Sequence, residues 1–223
     1  IPGGLSKRFD PYDNMLDVLE ILIAKHNLFK YRDLDLTDEN WENRFYTDGR
    51  NPHIIVFAEK NGFVRFLQEI QREYGISSIS LGGAPSHLST EYFVEGLAKR
   101  MEKIPPMVLF SITDYDPSGY FIARAFQKQM ESQRVKVLEN ISLIKPEYYT
   151  KEELEIFRFP IPSKYKKRIE SWMKEEGGID GKPFGIEADS MPKARLREVL
   201  AEKIEPFLEK GEEKKDKGRG GRG

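Results

Sequence analysis

Between His53 and Leu138, short apolar runs alternate with amphipathic stretches. The runs His53-Ile-Ile-Val-Phe-Ala58, Ile76-Ser-Ser-Ile-Ser-Leu81, Met107–Thr113 and Arg134-Val-Lys-Val-Leu138 are rich in β-branched residues and bounded by turn formers, which predicts four strands. Phe63–Tyr74 sets Phe63, Phe66, Leu67 and Ile70 on one helical face and stops at Gly75. Leu88–Lys103 and Tyr120–Glu131 read as two further helices, and Gly82-Gly-Ala-Pro-Ser86 as a loop. Strands alternating with helices imply βαβ units with right-handed crossovers. The expected class is α/β: a mainly parallel four-stranded sheet flanked by helices.

The flanks have a different rhythm. Tyr12–Lys30 carries Leu16, Leu19, Leu22 and Ile23 on a helical stripe, a short helix is expected around Asp38–Phe45, and Thr47–Pro52 is rich in turn formers. After Ile144 come extended or turn elements at Lys145–Tyr149 and Phe159–Pro162. A basic helix over Lys164–Lys174, a loop at Gly177–Gly181 and an amphipathic helix over Pro192–Leu208 follow. The tail from Lys210 is charged, then Gly/Arg-rich, and is expected to be disordered and solvated. The chain thus divides into an N-terminal helical segment (1–50), an α/β domain (51–145), a C-terminal helical extension (146–209) and a tail (210–223). The opening Ile1-Pro-Gly-Gly4, without an initiator methionine, leads us to expect a fragment or a trimmed chain.

Composition narrows the chemistry. With 223 residues there is room for one sizeable domain and an appendage. The net charge of -1 gives no global attraction to nucleic acid, so any basic surface must be local. The absence of cysteine excludes disulfides, thiolate chemistry and cysteine-ligated zinc, and fits a reducing, cytoplasmic setting. No apolar run approaches the roughly 18 residues of a membrane helix, and no signal peptide is visible.

Three acidic residues stand out. Asp114 and Asp116 follow the third predicted strand, and residues i and i+2 of an extended chain point to the same side. Glu59 follows the first strand. In a parallel sheet all carboxyl ends share one edge, so Glu59 converges with the aspartates if their strands are neighbours. Three such carboxylates suit Mg²⁺, which takes a few of them and keeps several waters. The same stretch also reads as an Asp-rich turn, with Asp116 capping the next helix and Pro117 at its first position.

Other chemistry is poorly represented. Counted from Asp33, the sixth and twelfth positions of a calcium loop hold Asp38 and Arg44 rather than glycine and glutamate. Gly82-Gly83 lacks the Gly-Lys-Ser/Thr of a phosphate loop, and Ser86 and Ser118 have no positioned base. His26, His53 and His87 are far apart, His87 alone following the glycine loop. Trp41 and Trp172 read as packing or interface residues.

Ala58-Glu-Lys-Asn-Gly62, Leu81-Gly-Gly-Ala-Pro-Ser86 and Thr113-Asp-Tyr-Asp-Pro-Ser-Gly119 together resemble the Toprim fold, and most closely the A subunit of topoisomerase VI and its meiotic double-strand-break relatives. The resemblance covers about residues 53–145 and extends more weakly to 208. It implies a Toprim domain over 51–145, with Glu59, Asp114 and Asp116 as catalytic, Mg²⁺-binding acids and Lys60 beside them. Gly119 would permit a close turn. It also implies DNA strand cleavage, a homodimer and an ATPase B subunit as partner. Lys60, Arg65, Arg124 and Lys128 are the candidate DNA contacts, with Lys164–Arg168 as a further basic cluster. In that family the nucleophile is a tyrosine on a preceding winged-helix domain. Tyr12, Tyr31 and Tyr46 precede Glu59 here, and none stands in a matching motif. A metal-dependent nuclease without a tyrosine step and a non-catalytic DNA-binding module therefore remain as alternatives.

Overall fold

In a computed structural model the described residues are 50–208 and, ahead of them, 18–19, 21–26, 28–34, 36 and 45–46. The β-branched runs form a sheet of β1 (Phe45–Tyr46), β2 (Asn51–Ala58), β3 (Ile76–Ser80), β4 (Met107–Ile112) and β5 (Val137–Ser142). The order is β1-β3-β2-β4-β5. The four strands β2 to β5 run parallel, and the two-residue β1 joins antiparallel at the edge. The α/β class and the parallel four-stranded core are therefore as the alternation predicts.

Period-2 patterning accounts for the layers. Ile54, Val56 and Ala58 face one side with Val108, Phe110 and Ile112, and Ile55 and Phe57 face the other with Met107 and Leu109. Helix α1 (Val64–Tyr74) covers the first face through Phe66, Leu67 and Ile70. Helices α2 (His87–Ala98) and α3 (Pro117–Ser132) cover the second through Phe93, Leu97, Phe126 and Met130. Both faces being covered explains why Ile54–Ala58 of β2 and Met107–Phe110 of β4 are unbroken apolar runs.

The C-terminal region completes the first face. It comprises α4 (Lys151–Phe157), β6 (Arg158–Pro160), α5 (Lys166–Glu176), β7 (Phe184–Ile186) and α6 (Lys193–Ile204), with β6 and β7 an antiparallel pair. Trp172 and the α6 residues Leu196, Leu200 and Ile204 are fully buried in the same core as Ile54 and Phe110. Arg197 bridges α6 to α1 through Glu69 at 2.9 Å and through Glu73.

Several boundaries differ from the sequence reading for local reasons. The last parallel strand is Val137–Ser142, not Arg134–Leu138, because Arg134 takes a left-handed turn (φ 64°) after α3 and Val135 is buried in the second core ahead of the strand. Helix α2 ends at Ala98, not Lys103. The Lys99 N–H still donates to the Glu95 carbonyl, the Arg100 N–H makes a tighter turn to the Leu97 carbonyl, and Met101 and Ile104 then pack against the second core without helical structure. Phe45 is in a strand rather than in a helix, and the rest of the helix expected from Asp38 lies outside the described residues. Within Tyr12–Lys30, residues 18–19 are α-helical and Ile21–Lys25 form a wider turn, His26 N–H donating to the Ile21 carbonyl. Residues 1–10, Trp41 and the tail from Lys210 also lie outside the described residues. Among the described residues no helix is long and apolar enough to cross a membrane.

Candidate metal centre

β2 and β4 are neighbours, with Ala58 opposite Ile112, and the Glu59 N–H donates to the Ile112 carbonyl at 3.1 Å. The residues leaving the two strands, Glu59 and the Asp114–Asp116 turn, therefore sit side by side at the carboxyl edge. Asp116 is extended (φ -155°, ψ 174°), and its Oδ1 accepts from the Gly119 N–H at 2.7 Å, with Pro117 at the first helical position. The cap uses one carboxylate oxygen, and an ionised carboxylate has a second, so capping and a cation are compatible. A Cβ on Gly119 would stand 2.1 Å from the Asp114 carbonyl oxygen, so only glycine fits this turn.

The glycine loop after β3 reaches the same edge. The Gly83 N–H donates to the Glu59 carbonyl at 2.8 Å, with Gly82 (φ 67°) and Gly83 (φ 121°) in backbone conformations that favour glycine. The Ser80 hydroxyl donates to Asn61 Oδ1 at 2.8 Å, fixing the turn that follows Glu59.

The electrostatics are those of crowded acids. Burial, then the charges of Asp114 and Asp116, push the Glu59 carboxyl above the usual range. Its Oε2 is buried with no hydrogen-bond partner. Asp116 is also raised, first by burial and then by Asp114, against the opposing effect of the Gly119 N–H. These features fit a small divalent ion: it would give Glu59 Oε2 a partner and relieve the repulsion. Among the described residues, no three histidine, aspartate or glutamate side chains already stand at metal-holding distances. One of the acids, Asp114, instead faces an ammonium. Lys60 Nζ lies 2.9 Å from Asp114 Oδ1, 2.5 Å from Glu187 Oε2 and 3.5 Å from Asp189 Oδ2. Burial opposes the Lys60 charge, but hydrogen bonds to Glu187 and Asp114 outweigh it and hold the group above the ordinary lysine range.

Glu187 and Asp189 are absent from the sequence reading. The signal that could have found them is a second acid-x-acid step after a short apolar run, Phe184-Gly-Ile186. Their place is fixed by the backbone. Tyr115 and Ile186 exchange N–H···O bonds of 2.9 and 3.1 Å, and the Ala188 N–H donates to Asp114 Oδ1 at 2.8 Å. The Tyr115 hydroxyl donates to the carbonyls of Glu176 (2.7 Å) and Gly178 (3.1 Å), and its ring meets Trp172 edge-on.

From Asp114 and Asp116 a cleft of about 700 Å³ runs between α3 and β5 toward Lys145. Arg124 and Lys128 line it, and so do Lys145 and Lys203, which the sequence reading did not single out. Arg124 lies over the Tyr120 ring. Lys60 is at the acids themselves. Arg65 does not line the cleft: its side chain is 92% exposed and pairs with Glu69 along α1. Lys164, Lys166, Lys167 and Arg168 are exposed at and just before the start of α5. His53 is structural, its Nε2 bonding the Phe207 carbonyl at 3.0 Å, and His87 opens α2 with its ring near Tyr31. Trp172 is a core residue. Tyr31 lies in a short helical turn, and its N–H donates to Glu91 of α2.

No protein-family model matches the chain, and no curated protein matches it by sequence.

Proposed function

We propose that residues 51–145 form a Toprim domain resembling the core of the topoisomerase VI A subunit, and that the protein supports Mg²⁺-dependent DNA strand cleavage. The observation that carries this reading is the convergence of Glu59, with its unpartnered buried oxygen, on Asp114 and Asp116 at the end of adjacent parallel strands. Glu59, Asp114 and Asp116 would hold the ion, which when bound supplies positive charge at the phosphate and at its departing oxygen. The Asp116 cap and the Ala188 N–H orient two of these carboxylates. Arg124, Lys128 and Lys145 offer cationic contacts to the backbone of a strand laid along the cleft. The resemblance extends the proposal to a second copy of the chain and an ATPase B subunit as partners.

The test is incubation of the protein with supercoiled plasmid in Mg²⁺ or in chelator. Nicked or linear DNA is expected in Mg²⁺, falling by about a hundredfold or more in Glu59→Ala or Asp114→Ala. Products covalently joined to protein would mean tyrosine chemistry, and free ends would mean the hydrolytic nuclease. Absence of Mg²⁺ binding, with both variants indistinguishable from the parent, would overturn the metal reading and leave a non-catalytic DNA-binding module.

A further inference from the structure

Lys60 has an unusual position for a residue next to a candidate metal ligand. Its ammonium lies within ion-pairing distance of Asp114, Glu187 and Asp189 at once. Glu187 and Asp189 are more than half exposed, whereas Asp114 is 13% exposed. The two outer carboxylates therefore stay accessible to the lysine when Asp114 is taken by another cation. The outer pair is also held in register: Ile186 is bonded to Tyr115, and Ala188 donates to the same Asp114 oxygen that Lys60 contacts.

Resting on the metal reading above, we propose that Lys60 is a resident counter-ion that competes with the divalent ion for Asp114, and that Glu187 and Asp189 are the place where it is parked once the ion binds. Without the ion, the ammonium neutralises part of the acid cluster. With the ion bound, Lys60 gives up one partner and keeps two. The Glu187-Ala-Asp189 turn thereby sets how readily the acids accept a metal, without being a ligand to it.

The test is a thermodynamic cycle on Mn²⁺ or Mg²⁺ affinity, read by isothermal titration calorimetry on the full chain, with no activity measurement. Lys60→Met should tighten binding by roughly fivefold, the scale of one partly exposed ion pair. Glu187→Gln/Asp189→Asn should weaken it by a similar factor, because Lys60 then has only Asp114. The decisive member is the triple variant: parking predicts that the outer substitutions have almost no effect once Lys60 is methionine. If they weaken binding equally in both backgrounds, Glu187 and Asp189 act only through their general field and the proposal fails. Equal affinity of parent and Lys60→Met, with metal bound by both, also defeats it while leaving the metal reading intact. Binding by neither sinks both. Lys60→Gln repeats the cycle should Lys60→Met not fold, circular dichroism being the check.

Discussion

Glu59 and Gly119 show how a single position can trade stability for a site. A carboxyl whose folded pKa is raised binds its proton more readily in the folded state than in the unfolded one. Stability is therefore undiminished below the ordinary carboxylate range, falls as pH rises from there to the folded value, and remains reduced at neutral pH. Glu59→Gln should accordingly raise the urea midpoint of the metal-free protein at neutral pH. The gain should vanish once the pH falls below about 4, where the unfolded carboxyl is also protonated. A denaturation series across pH checks the sign, and added Mg²⁺ should shrink the gain by stabilising the parent alone. Gly119 makes the opposite prediction. Its missing side chain leaves room for the Asp114 carbonyl, so Gly119→Ala must move either the helix or the acid turn. A loss of about 2 kcal/mol or more is expected in denaturant titration, a magnitude usual for overpacking at a fixed backbone.

At the scale of elements, Tyr115 joins the acid turn to the C-terminal region. Its backbone pairs with Ile186, and its hydroxyl reaches the carbonyls of Glu176 and Gly178. Tyr115→Phe should cost roughly 1–2 kcal/mol for the missing donor and the carbonyls left behind. Hydrogen exchange should quicken first around residues 176–182, next to those carbonyls. The parallel core was legible in the chain because Ile54–Ala58 of β2 and Met107–Ile112 of β4 are buried on both faces, and so are mainly apolar runs with acids soon after their ends. Glu59, Asp114 and Asp116 could be brought to one edge by topology alone. β5 was misplaced because it is a half-exposed strand with Leu138 and Glu139 facing water, which leaves no apolar run to read. β7 was missed because it has three residues and depends on pairing with β6 and Tyr115. Its acids, and hence the surroundings of Lys60, are products of long-range pairing that no local pattern encodes.

For the whole molecule, the cleft beside the acids makes the DNA reading quantitative. Arg124, Lys128, Lys145 and Lys203 stand along it with several glutamates, so net attraction to a strand should be weak and strongly salt-dependent. Replacing Lys128 or Lys145 with alanine should weaken binding of a single-stranded oligonucleotide. Each replacement should also lower the slope of log affinity against log salt by about 0.7, the share of a single lysine–phosphate pair on a single strand. Arg65→Ala should leave that slope unchanged, since its side chain lies away from the cleft. Fluorescence anisotropy at several salt concentrations distinguishes the two cases. The pairing of Lys60 with Glu187 has a further consequence, for the order of events during synthesis. The two residues are 127 positions apart, and Arg197 and Glu69 are 128 apart. A chain emerging from the ribosome therefore carries its three first acids, and most of its sheet, well before the Glu187 turn and α6 exist. During that interval one sheet face lacks its final helix. A chaperone that shields apolar surface on nascent chains would meet this protein at that stage.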